Sequence, residues 1–315
     1  MIDPAEFVTN SRLSLMKAGL EVWADWMSNM YEKPILEHLQ TFEQERFQIA
    51  SSMVDAKLGK IGQRLRLLDA SVDRTDLDGF FYHWTYLQLL LSFWQRYDDL
   101  NPSLQLNLLY QSGLNFTKKN LATAPRLEGR FTVLYQEFEK VEKLRQREVW
   151  FLDKDGGRFH LLRDFAFGNQ PFEQTFITGR DYGGQLIPLP FDGSVRCWKE
   201  NLALMAVSSE ALDWSKYVCD LHSLNEKMHD VLLLNPFLEA LPVVLSLQTV
   251  YADGEWYMLD HQRQRLSKLV GSDFVMQSIF AACYYQPTVV VGLWSRMGFQ
   301  PWATVQDGQY QPVLL

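Results

Sequence analysis

The chain of 315 residues has only three cysteines, Cys197, Cys219 and Cys283, odd in number and far apart. A disulfide framework uses an even, closely spaced set, so free thiols in a reducing compartment are expected. Long apolar runs are lacking too. The longest, around Leu89–Leu91 and over Thr288–Leu293, fall well short of the roughly 18 residues of a membrane helix. The opening stretch MIDPAEFVTNSRLSLMKAG carries charge and no apolar block, so no signal peptide is expected and the cytoplasm is the expected location. Basic residues are outnumbered, 30 Lys and Arg against 38 Asp and Glu, for a net charge of −8. This argues against a general polyanion binder, because affinity for phosphate backbones comes mostly from Lys and Arg.

Catalytic signatures are missing as well. Neither standard glycine-rich phosphate loop occurs, and there is no G-x-S-x-G, no H-E-x-x-H and no C-x-x-C. Their absence excludes those motifs but leaves open a constellation gathered from distant residues. The expectation is a non-enzymatic protein without a cofactor.

What is present is apolar and aromatic mass, 47% hydrophobic with ten Trp and twenty Phe. The first half reads as helical. Val54, Leu58, Ile61, Leu65 and Leu68 step by four and three, as do Phe80, Trp84, Leu87, Leu91 and Trp94. Phe131, Leu134, Phe138 and Val141 continue the pattern and predict a helix to about Arg147. Breaks fall at Lys33-Pro34, Asn101-Pro102 and Ala124-Pro125. The period then switches to two. Trp150 and Leu152, then Phe159 and Leu161, flank the turn sequence Asp153-Lys-Asp-Gly-Gly, a hairpin signal. Gly168, Gly183-Gly184 and Asp192-Gly193 punctuate further short strands. A helix capped by Asp213 is expected through Val231, stopping near Asn235-Pro236. A second hairpin turns at Ala252-Asp253-Gly254, a helix covers Asp273–Ala282, and strands Thr288–Trp294 and Gln300–Val305 follow. The fold class expected is α+β, a helical half followed by a mixed α/β half with antiparallel hairpins. The expected divisions are a helical domain over 1–147, a hairpin-rich segment over 148–212 and an α+β segment over 213–315.

Three groups of residues are candidates for chemistry. In CDLHSLNEKMHD, the residues Cys219, His222, Glu226 and His229 are spaced by three, four and three, which would line one side of a helix with zinc- or iron-type ligands. A single helix rarely offers one ion more than two or three ligands, so a half-exposed border of the apolar face is the plainer reading. Lys57, Lys60 and Arg64 form one basic line, and Arg126, Arg130, Lys140, Lys143, Arg145 and Arg147 a second, diluted by Glu137, Glu139, Glu142 and Glu148. Solvated faces and helix-end cations are the plainer account of both lines, with nucleic-acid contact the alternative. Asp153 and Asp155 are expected as turn residues. In FFYHWTY, His83 and Tyr86 fall off the main apolar face and are expected at the surface or against another helix.

Several stretches together resemble the bacterial SWIM zinc finger proteins, in the region that follows the finger. They are GLEVWADWM, MVDAKLGKIGQRLR, VEKLRQREVWFL with GRFHLLRDFAFGNQPFE, NPFLEALPVVL and PTVVVGLWSRMGFQPWA, in that order from about residue 19 to 311. The family's zinc motif, C-x-C and then C-x-H, has no counterpart, so no zinc ligand carries over to this chain. The resemblance implies an accessory region without its finger. It also implies partners such as a MoxR-type AAA+ ATPase, a von Willebrand A-type protein or a finger-bearing SWIM protein. The leading expectation is therefore a protein-interaction module with no membrane segment. Its rivals are a nucleic-acid-binding accessory protein using the basic lines, and a metalloprotein or hydrolase in which the Cys219–His229 line meets ligands near Asp260 or His261.

Overall fold

A computed structural model describes residues 3–31, 42–68, 77–141, 143–206, 212–260, 265–283 and 286–313. Lys33-Pro34 and His261 lie outside them. Contacts divide the chain into one unit of Met1–Thr123 with Pro190–Asp192, and another of Ala124–Leu189 with Gly193–Leu315.

The first unit is helical: α1 (Asn10–Tyr31), α2 (Phe42–Asp55), α3 (Gly59–Leu67), α4 (Leu77–Gln95) and α5 (Pro102–Ser112). The run expected to be continuous from Val54 to Leu68 is two helices. Between them Lys57 takes a left-handed φ of 65°, and Val54 is left exposed while Leu58, Ile61, Leu65 and Leu68 are buried. Gly62 permits the two helices to meet, because a Cβ there would lie 2.6 Å from the Ala50 carbonyl oxygen. The side chain of Asn101 accepts a hydrogen bond from the Leu104 N–H at 2.9 Å and Pro102 opens α5, which makes this break a helix start. Trp23, Trp26, Phe80, Trp84 and Trp94 fill the core.

The second unit begins where the sequence predicts helix. The described residues within 131–147 instead form the long strand β1 (Leu127–Val141) and the start of β2 (Leu144–Asp153). The change from helix to strand therefore precedes Leu127, upstream of the 147/148 division expected. Strands β3 (Phe159–Phe167), β4 (Asp181–Pro188) and β5 (Arg196–Leu204) complete a closed barrel of order β1-β2-β3-β5-β4. Antiparallel pairing throughout, except for a short parallel β3–β5 contact, gives a five-stranded Greek-key barrel of the OB type. Gly183-Gly184, expected to interrupt strands, lies inside β4. At Gly184 φ is +142° and a Cβ would fall 1.6 Å from the Asn201 carbonyl oxygen, so only glycine fits against β5. The interior holds Phe131, Val133, Val149, Phe151, Leu162, Phe176, Tyr182, Leu186 and Cys197.

The rest of the unit is a sheet of order β12-β11-β10-β7-β8-β9, with β6 alongside β7. Its strands are β6 (Val218–Cys219), β7 (Ala240–Ala252), β8 (Glu255–Asp260), β9 (Arg265–Lys268), β10 (Thr288–Ser295), β11 (Gly298–Gln306) and β12 (Gln309–Pro312). The helix expected from Asp213 starts later. Asp213 caps only a short 3-10 turn, β6 intervenes, and α6 (Leu221–Leu234) is capped by Asp220, whose carboxylate accepts from the Ser223 N–H at 2.7 Å. The Asp253-Gly254 hairpin forms as expected, both residues with positive φ. Helix α7 spans Asp273–Cys283.

Alternation along β7 orders these layers. Leu241, Val243, Leu245 and Leu247 pack with Leu221 and Leu224 of α6 and with Val275, Met276 and Ile279 of α7. Val244 points the other way and joins Val291 and Trp302 against Leu134, Trp150, Leu152 and Leu161 of the barrel. Helices, sheet and barrel thus stack within this unit.

Candidate functional site

The barrel face that meets the sheet is the outward side of β1, β2 and β3. Register places its cross-strand neighbours. Leu152 lies opposite Phe159, Trp150 opposite Leu161, Glu148 opposite Arg163, Gln146 opposite Phe165 and Leu144 opposite Phe167. On β1, Tyr135 faces Trp150, Glu137 faces Glu148 and Glu139 faces Gln146. These rungs share one face because alternation carries it along each strand.

The face has three zones. The first, with Tyr135, Trp150, Leu152 and Leu161, is covered by the sheet. There the Tyr135 and Trp302 rings stack at 4.8 Å with planes 2° apart. The middle zone is charged, with Glu148 accepting from Arg163 Nε at 2.7 Å while Glu137 stands opposite as a second carboxylate. Partial desolvation and the neighbouring carboxylates of Glu148 and Glu139 hold the Glu137 carboxyl above its usual range. The third zone is uncovered. Leu144, Phe165 and Phe167 are 42%, 55% and 61% exposed, on neighbouring positions of two paired strands. On the opposite side of this ribbon, Arg147 and Arg145 lie over the Phe172 ring, at 4.5 and 5.5 Å from its centroid.

The barrel interior contains one unusual polar group. His160 is 4% exposed, among the Phe131 and Phe151 side chains, and no protein atom bonds either ring nitrogen. Burial pushes its pKa down from 6.5 to about 4, against the attraction of Asp153. The folded state therefore keeps His160 neutral where the unfolded chain takes a proton. Stability falls as pH drops from 6.5 toward about 4, by at most about 3 kcal/mol, and this effect vanishes above that window. Urea midpoints measured across it should slope for the wild type and flatten in His160→Leu. An equal slope in both would assign the acid sensitivity to another group.

The sequence candidates separate in space. Cys219 lies on β6, not on the helix, and its thiol donates to the Val244 carbonyl at 3.5 Å. Burial raises its pKa, the opposite of what a thiolate ligand requires. It lines a small pocket with Asp220, Leu221, Leu245, Ser246, Leu247 and Met258. Glu226 and His229 are exposed on α6, and the side chains of His222 and Asp260 lie outside the description. Among the described residues, no group of three or more His, Cys, Asp and Glu side chains could hold a metal.

The basic line of the helical unit rests on aromatic rings. Lys60 lies 3.3 Å from the Tyr110 centroid and Arg64 3.7 Å from that of Tyr86, while Lys57 is exposed. His83 and Tyr86 thus face α3, with Arg64 3.4 Å from the His83 ring. Arg145 and Arg147, expected as helix-end cations, are strand residues. Arg147 is buried, pairing with Asp164 at 2.5 Å and donating to the Gln174 carbonyl, and Arg145 donates to the Gln170 carbonyl. Asp153 and Asp155 do serve the turn: Asp153 accepts from the Asp155 N–H, and Asp155 pairs with Arg130. The uncovered zone was missed in the sequence, although the two-step spacing of Phe165 and Phe167 pointed to it.

A helical unit followed by an OB-type barrel backed by an α+β sheet is the class of molecule these elements define. Residues 11–111, from the first turn of α1 into the last turn of α5, match the family model of the SWIM-associated four-helix bundle domain. The match bears out the resemblance and is consistent with a region C-terminal to a SWIM finger. None of the curated proteins matches the chain. No helix among the described residues is long and apolar enough to cross a membrane.

Proposed function

We propose that this chain is a non-enzymatic accessory module that binds another protein, within a SWIM-type system. The observation that carries the reading is the uncovered apolar zone of Leu144, Phe165 and Phe167 on a sheet face whose other end is buried. Contiguous exposed apolar side chains of this kind are characteristic of protein-contact surfaces. The SWIM-associated helical domain in the same chain supports an accessory role. The partners proposed are bacterial and cytoplasmic: a MoxR-type AAA+ ATPase, a von Willebrand A-type protein or a finger-bearing SWIM protein. Affinity capture with the full chain from its native host tests this. Recovery of one of these classes at physiological salt is expected, and recovery of none of them overturns the reading.

One observation favours a second reading. In OB-type barrels the β2–β3 face commonly contacts oligonucleotides, and here it carries two exposed phenylalanines. Topology alone assigns no ligand, and the charge on this face opposes a phosphate backbone.

A further inference from the structure

The uncovered zone is acidic along its β1 side. From the register, Glu137 and Glu139 on β1 and Glu148 on β2 share the outward face with Leu144, Phe165 and Phe167. Arg163 is the cation on these rungs, and it is engaged by Glu148. Among the described residues no ion pair involves Glu137 or Glu139, and both are exposed. Like charges directly opposite on paired strands are destabilising, so the Glu137–Glu148 rung is a cost that a bound cation would relieve. Desolvation first, and the Glu148 and Glu139 carboxylates after it, hold the Glu137 carboxyl above its usual range. Two strand spacings, about 10 Å, separate the phenylalanines of β3 from the glutamates of β1. That is the width of one helix with its side chains. The zone also continues the face that Trp302, Val244 and Val291 already use as an apolar docking surface within the unit.

We infer that this end of the β1–β2–β3 face seats a basic amphipathic segment of a partner protein. Its apolar stripe lies over Leu144, Phe165 and Phe167, and its Lys or Arg flank lies over Glu137 and Glu139. The inference rests on the accessory reading above and deepens it by naming the surface and the chemistry of the occupant. A second copy of the chain fits less well, since an isologous contact would crowd two acidic borders into one interface. A single-stranded nucleic acid could stack on the phenylalanines but would bring phosphates to the glutamates.

The test uses the full chain with three fluorescent probes: an amphipathic Leu/Lys helical peptide, its Leu/Glu counterpart and oligo(dT). The Leu/Lys peptide should bind, raise anisotropy and slow hydrogen exchange in 144–148 and 163–167. Binding should weaken by about tenfold or more in F165S/F167S and, separately, in E137K/E139K. All four positions are exposed, and unchanged melting curves would show that the variants fold. Several results would overturn the inference: no Leu/Lys binding, binding unaffected by either variant, equal binding of the Leu/Glu peptide, or oligo(dT) binding that needs Phe165 and Phe167. A dimer abolished by F165S/F167S would do so as well. Captures with the variants separate the two readings. A partner retained equally by wild type and variants sinks this surface but leaves the accessory role standing, whereas no partner with any of them sinks the role itself.

Discussion

Replacing Trp302 with alanine should lower the unfolding free energy of the second unit by about 3–5 kcal/mol. Trp302 is 2% exposed and sits where two layers meet. Its ring stacks on Tyr135 at 4.8 Å and lies 5.8 Å from Trp150, with Val244 and Val291 beside it. Truncation opens a cavity lined by both sheet and barrel, and neither can close it without shifting a whole strand register. Denaturant titration followed by far-UV circular dichroism measures the loss, and Trp302→Phe should recover most of it. Hydrogen exchange should also accelerate in Trp150–Leu152 of the alanine variant. A loss below about 1 kcal/mol would mean that the sheet does not depend on this contact to hold the barrel face.

Arg147→Met should be comparably damaging, about 3–5 kcal/mol, because it strands a carboxylate. The Arg147 side chain is 3% exposed and that of Asp164 16%. The guanidinium also donates to the Gln174 carbonyl and lies 4.5 and 5.0 Å from the Phe172 and Phe176 centroids. Removing the cation leaves Asp164 with its burial and no counter-charge. Adding Asp164→Leu should restore much of the loss, giving a large coupling in a double-mutant cycle. If the double variant is no better than Arg147→Met, the stacking over Phe172 and Phe176 matters more than the ion pair.

The sequence misled at β1 for a definable reason. Phe131, Leu134 and Phe138 step by three and four, which imitates a helix. In the folded chain an irregularity in register between Val133 and Tyr135 shifts the alternation by one residue. Phe131 and Val133 point into the barrel, while Leu134 and Tyr135 point out to the sheet. A strand with a bulge and two apolar faces carries no clean period of two. The Cys219–His229 spacing misled in a similar way, since it assumed one helix across the Asp220 cap. By contrast, both hairpins, α7 and the closing strands were legible, because their turn residues and periods agree. The uncovered zone was only half legible. Phe165 and Phe167 advertise one face of a strand, but which part of that face lies open depends on Trp302 and Val291, remote in sequence.

That remoteness also sets an order in time. The barrel face is assembled from residues up to Phe167, whereas Val291 and Trp302, which cover it, leave the ribosome much later. During that interval Trp150, Leu152 and Leu161 lack the part of their cover that Val291 and Trp302 supply. A nascent chain would thus present a longer sticky strip than the finished protein does, one that a chaperone could occupy. Ribosome-bound chains whose emerged part ends before Thr288 should cross-link to holdase chaperones through this strip, and chains tethered by a linker long enough for Trp302 to clear the exit tunnel should release them.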